Sequence, residues 1–253
     1  MTRTPFAQRH PYWFVAGLEI VTIAVYLLVG TVAYFTQLSN NWIYGSASLI
    51  LSLIAALLLT RLGWWKVVGF RSPNQPRDLW YFALPLLPAV ITLLIGVEVT
   101  SLVLLAEFFV ITLLIGFAEE AIFRGLMLNA LKAAGFWQAA IITALLFGLS
   151  HALNGLAGKS MAETGAQIFY AVAFGFAFAA LVLKKGILWP LVLVHFLIDF
   201  ASFLQRPDFI IAPHWNLLLV VGLAFIFTAY GAFVMLQKPR GNVFALREST
   251  YGA

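Results

Sequence analysis

The chain of 253 residues contains no cysteine. That absence excludes thiolate catalysis, disulfide cross-links and thiolate metal sites together. Charge is nearly as scarce: 10% of residues are Asp, Glu, Lys or Arg, whereas a soluble domain carries about a quarter. Histidine occurs four times, at His10, His151, His195 and His214. No repeat of fixed period and no low-complexity segment is visible. What chemistry the chain can perform therefore rests on a small set of Glu, Asp and His side chains.

Long apolar runs fill the rest. Hydrophobic residues make up 62% of the chain and the mean hydropathy is +0.96, which predicts an all-α polytopic membrane protein, a bundle of about eight transmembrane helices. The expected spans are 12–36, 43–62, 79–97, 101–131, 137–153, 166–184, 187–204 and 215–237. They form one integral membrane domain over 1–253, in contact with the lipid bilayer throughout. The first run is too long for a signal-peptide core and lacks an evident cleavage pattern, so it reads as a retained anchor.

The formal charge of +5 does not point to nucleic acid, because the basic residues lie in short breaks between apolar runs rather than along one stripe. A cytoplasmic N-terminus puts all 15 Lys and Arg except Lys159 and Arg206 inside. Both termini are expected in the cytoplasm, and a small chain of this kind suggests a bacterial cytoplasmic membrane. The break "RLGWWKVVGFRSPNQPRDLWYF" reads as a surface-lying connector with Trp64, Trp65, Trp80 and Tyr81 as interface anchors. On the outer side, "NGLAGKSMAETG" reads as a polar loop.

Against this background "GFAEEAIFRG" stands out, with Glu119, Glu120 and Arg124 inside an apolar run. One ionisable residue at mid-bilayer costs about 2.5–3.5 kcal/mol on insertion scales. Residues four apart share a helix face, so Arg124 can pair with Glu120, while Glu119 lies about 100° away and remains free for chemistry. The bland alternative is a helix end reaching cytoplasmic water. Two further stretches weigh against it: "FGLSH" sets Phe147 and His151 at i, i+4, and "HFLID" sets His195 and Asp199 at i, i+4. Helical rise places Glu119 and His151 about 20 Å from the cytoplasmic helix ends, Asp199 about 18 Å and His195 about 12 Å. Three helices thus aim carboxylates and imidazoles at one level.

Such groups can activate water in two ways. A buried carboxylate can act as a general base beside an imidazole, or Glu119, His151, His195 and Asp199 can supply ligands to Zn²⁺ or another divalent metal. Ser150 lies on another helix face without a nucleophile-elbow context. Glu19 and Glu107, also within apolar runs, are not expected in the site.

In order and spacing, Glu119-Glu120-xxx-Arg124, Phe147-xxx-His151 and His195-xxx-Asp199 resemble the CAAX protease and bacteriocin-processing family of intramembrane endopeptidases, also called the Abi family. The resemblance covers about residues 100–204, the catalytic core helices. It implies an endopeptidase that hydrolyses a membrane-associated peptide or protein, with Glu119 activating water together with His151. Glu120, supported by Arg124 and Phe147, would hold the geometry, and His195 with Asp199 would face the substrate carbonyl. An ionised Asp199 cannot donate to an oxyanion; it carries a proton, orients His195 or binds a metal. The family has been described both as metal-dependent and as glutamate-dependent. The competing classes are an ion-coupled transporter and a catalytically silent immunity or scaffold protein.

Overall fold

The computed structural model describes residues 5–156, 158–206 and 213–237; the side chains of Leu156, Pro213 and His214 and the basic residues Arg3, Lys238, Arg240 and Arg247 lie outside the description. Among the described residues there are helices and turns but no strand. The eight principal helices are α1 (Pro11–Thr36), α2 (Asn40–Leu62), α3 (Leu87–Ile95), α4 (Leu102–Glu119), α5 (Phe136–Ser150), α6 (Met161–Lys185), α7 (Trp189–Phe203) and α8 (Pro213–Leu236). The chain is an all-α integral membrane protein. Seven apolar segments among the described residues are long enough to cross a membrane, including Pro76–Ile95, whose first part is 3₁₀-helical and feeds α3, and Leu102–Ala134, which continues α4.

Sequence signals account for most helix ends. Pro11 opens α1 and Pro190 lies in the first turn of α7, where a missing N–H costs nothing. Gly63 and Gly186 close α2 and α6 in the left-handed conformation. The loop between α5 and α6 is shorter than the sequence reading made it, because α6 begins at Met161 rather than at residue 166. Ser160 and Glu163 form a capping box there: the Ser160 hydroxyl accepts from the Glu163 N–H, and the Glu163 carboxylate accepts from the Ser160 N–H.

The eighth expected span, α7, has only 15 residues, a rise of about 22 Å. It is held at both ends by other segments. At its start Leu188 N–H donates to Gly69 O at 2.9 Å, Arg71 Nε donates to Gly186 O at 2.9 Å, and Trp189 Nε1 donates to Arg71 O at 3.1 Å. Gly69 has φ +113°, and a Cβ there would meet Leu188 N at 2.5 Å, so glycine alone fits this approach. Past its other end, Glu98 N–H donates to Leu204 O at 2.8 Å and Arg206 N–H to Gly96 O at 3.2 Å.

These contacts change the reading of the connector between α2 and α3. It docks on the α6–α7 turn rather than only lying on a surface: Lys185 pairs with Asp78 at 3.7 Å and sits 3.3 Å over the Tyr81 ring. Trp80 is exposed, as an interface anchor should be, but Trp64 is buried at 4% exposure and meets Phe14 edge-on. Its neighbour Trp65 is partly buried too, stacked on Phe117 and edge-on to Phe70.

Within the bundle, α6 packs between α5 and α8, while α4 packs against α2 and α7. Small residues set the close approaches. At Gly116 an added Cβ would lie 3.0 Å from both Val192 O and Phe196 N and 3.5 Å from His195 Cβ. Those backbone atoms cannot retreat without moving α7. Gly116→Ala should therefore destabilise the protein by about 1–3 kcal/mol, read as a lower melting temperature in detergent than that of wild type; an unchanged temperature would show that α4 and α7 are not held at this distance.

Candidate active site

The helix of α4 does not end at Glu119. Glu120–Met127 continue it as a π-helical segment, with Leu128 N–H reaching Phe123 O, and all eight residues are buried. Wide turns of this kind recur at functional sites and are not announced by hydrophobic periodicity. The segment carries the charged stretch into the centre of the bundle. Glu120 and Arg124 have side chains at 0% exposure and pair at 3.1 Å through Arg124 Nη1 and Glu120 Oε1, so this is not a helix end reaching water.

Arg124 uses one nitrogen for that bond, while Nε and Nη2 have no hydrogen-bond partner among the described residues. Aromatic faces surround the guanidinium instead: its Cζ lies 4.0 Å from the Phe147 ring centre and 5.5 Å from that of Phe178. The absence of a side chain at Gly175 makes the room, since a Cβ there would be 3.1 Å from both Arg124 Nη2 and Phe147 Cδ1. Phe147 also meets His151 edge-on at 4.9 Å and His195 at 6.1 Å. The first residue of the Phe147-xxx-His151 motif is thus the ring on which the cation and both imidazoles rest.

Glu120 Oε1 takes a second hydrogen bond, 2.8 Å from His195 Nδ1. A carboxylate paired with Arg124 can only accept, so Nδ1 carries a proton. Nε2 lies 3.5 Å from Glu119 Oε2 and 3.6 Å from Asp199 Oδ2, within ion-pair range but longer than good hydrogen bonds. The structure therefore brings Glu119, Glu120, His195 and Asp199 around one ring. It differs from the expected division in one respect: Glu119 adjoins His195, not His151. His151 Nδ1 bonds its own helix, 2.8 Å from Phe147 O, and the Ser150 hydroxyl donates to the same carbonyl. Because a carbonyl only accepts, His151 too holds its proton on Nδ1 and presents Nε2 as an acceptor.

Beside this cluster lies a cavity of about 90 Å³, lined by Phe147, His151, Gln167, Tyr170, Ala171, Phe174, His195, Ile198 and Asp199. That volume holds more than one water. Gln167 and Tyr170 were not anticipated. Their only sequence signal is a pair of polar groups three apart where α6 passes from its polar start into its apolar run. Glu107 instead accepts from Asn41 at 3.1 Å, and Glu19 lies on α1, which contributes no residue to the cavity lining.

Glu119, His151, His195 and Asp199 are the candidate metal ligands. Among the described residues no three His, Asp or Glu side chains form a group that could hold a metal ion.

Residues 100–201, the stretch containing all three motifs, match the family model described as Type II CAAX prenyl endopeptidase Rce1-like. This segment is similar to an Rce1-like domain. The family is the one its motifs resemble. No curated protein and no solved structure matches the chain.

The buried pair yields a stability test. Arg124→Ala leaves Glu120 desolvated without its cation, at a cost of about 3–5 kcal/mol, whereas Glu120→Gln with Arg124→Met removes both charges and should recover most of it. Thermal denaturation of the purified variants in one detergent would compare them; equal melting of Arg124→Ala and wild type would mean the pair contributes nothing.

Proposed function

We propose that the protein is an intramembrane endopeptidase of the CAAX type, acting on a membrane-associated peptide or protein by side-chain-activated water. The observation that carries this reading is His195 held by Glu120 through Nδ1 with Glu119 and Asp199 at its other nitrogen, beside a cavity large enough for water. The match of residues 100–201 supports the same reaction class.

In this reading Glu119 is the general base. It takes a proton from a water in the cavity as the water oxygen bonds to the substrate carbonyl carbon. His195 cannot rotate away, because Glu120 fixes its Nδ1, and its Nε2 adjoins Glu119 and Asp199. His151, opposite, offers a second acceptor to the same water. When the tetrahedral intermediate collapses, the C–N bond breaks and the proton held by Glu119 passes to the departing amine nitrogen. Asp199 is an acceptor facing His195 Nε2, which suits an orienting role. Arg124 and Phe147 touch no substrate; they position Glu120 and the two imidazoles.

The test is cleavage by the purified protein in liposomes of a panel of lipid-anchored and membrane-spanning peptides, prenylated CAAX peptides among them. Wild type should cleave at least one. Glu119→Gln and His195→Ala should each lose about 10²–10⁴-fold in kcat while melting as well-folded proteins. Cleavage of none, or full activity in Glu119→Gln, would remove the endopeptidase reading; proton-driven uptake lost in His195→Ala would replace it with transport.

A further inference from the structure

The cavity has two chemically different ends. His195 and Asp199 stand at one, beside Glu119, where the reaction is placed. At the other is Gln167 of α6, half-buried and part of the cavity wall. Phe174, which meets His195 edge-on at 5.9 Å, lies about two turns further along α6, so the ends are about 10 Å apart.

Gln167 is held from the loop between α5 and α6. Its Oε1 accepts from Asn154 Nδ2 at 2.9 Å and from Lys159 Nζ at 3.2 Å. An ammonium only donates, which fixes Oε1 as the end turned to the loop and leaves the Nε2 amide with no hydrogen-bond partner among the described residues. The loop is itself closed: Asn154 N–H donates to His151 O at 3.0 Å and Lys159 N–H to Asn154 O at 3.1 Å. This path returns the exposed Lys159 side chain to the cavity wall at Gln167, within electrostatic reach of His151. Among the described residues no carboxylate lies within ion-pair distance of Lys159. Glu163, four residues on, is engaged instead by the Ser160 N–H and hydroxyl. A cation and a neutral donor on adjoining side chains, with no anion between them, match a carboxylate.

We propose that Lys159 and Gln167 form a specificity subsite for a carboxylate of the substrate, Lys159 supplying the cation and Gln167 Nε2 a hydrogen bond, an assignment that rests on the endopeptidase reading. An extended chain covers 10 Å in about three residues. The recognised carboxylate therefore sits about three residues from the scissile carbonyl. It belongs to a free C-terminus or to an Asp or Glu side chain. Neither Lys159 nor Gln167 touches the reacting atoms, so their effect falls on binding and register rather than on the chemical step.

The experiment is steady-state cleavage of four quenched-fluorescent farnesylated CAAX peptides by wild type, Lys159→Gln and Gln167→Glu in liposomes. One peptide ends in a free carboxylate and one in an amide; the other two are amides with Asp three residues before or after the scissile bond. In wild type the neutral amide should have a KM about tenfold above that of at least one charged peptide, with kcat similar. Preference for the free acid alone assigns the carboxylate to a C-terminus, and preference for an Asp peptide assigns it to a side chain. In both variants the ratio of the two KM values should fall to about one, because Lys159→Gln removes the cation and Gln167→Glu both neutralises it and repels the ligand. Equal KM for all four peptides in wild type, or a preference kept in either variant, overturns the subsite and leaves the endopeptidase reading intact. No cleavage of any of the four by wild type also overturns it; the endopeptidase reading then stands or falls on the wider peptide panel.

Discussion

The ion pair between Glu120 and Arg124 is the constraint on which the site's architecture depends. Both side chains are removed from water, so each requires the other, and neither can change rotamer without exposing a bare charge to an apolar core. This rigidity is passed to His195. The oxygen that receives Arg124 is the one that receives His195 Nδ1, so the pairing also fixes the orientation of the imidazole. Phe147 extends the same constraint to a third helix, lying under the guanidinium and against both histidine rings. A motif written as three separate pairs of letters is physically one packed unit.

The surrounding helices meet the needs of that unit. Gly175 leaves space for the guanidinium, Gly116 lets α7 approach α4, and the π-helical stretch places eight consecutive buried residues at the centre. These features have little meaning for a helix considered alone. Gly in a helix interior weakens it by roughly 0.5–1 kcal/mol relative to Ala, and a π turn is rare. They become favourable only when neighbouring backbones and a buried charge demand close contact. Local propensity is overridden here at the positions nearest the reacting groups.

Much of this could be read from the chain before any coordinates. Apolar runs marked the helices to within a few residues, and the i, i+4 spacing of Glu120 with Arg124 marked their pairing. Two details escaped for lack of period. The π segment has no signature in a hydrophobic pattern, and the neighbour of Glu119 depends on how α4 and α7 cross, which spacing along one helix does not encode. Trp64 was misplaced because an aromatic beside a charged break looks the same whether it faces lipid headgroups or the core. The start of α6 was legible in Ser160 and Glu163, but hydropathy moved the boundary inward. Tyr170 escaped because a tyrosine among phenylalanines reads as ordinary packing until the cavity beside it is known.

The shortness of α7 bears on the relation between the protein and the lipid. A 22 Å helix cannot bridge a hydrocarbon layer of about 30 Å. Its ends are capped by protein, through Gly69, Arg71 and the pairing of 96–98 with 204–206, in place of the water that caps a full-length span. The helix carrying His195 is thus suspended from its neighbours instead of being anchored at both membrane surfaces. Thicker or thinner bilayers will tilt and strain the long outer helices, whereas the distance from His195 to Glu120 is set inside the protein. Bilayer thickness should govern how substrates enter more than how the reacting groups are arranged.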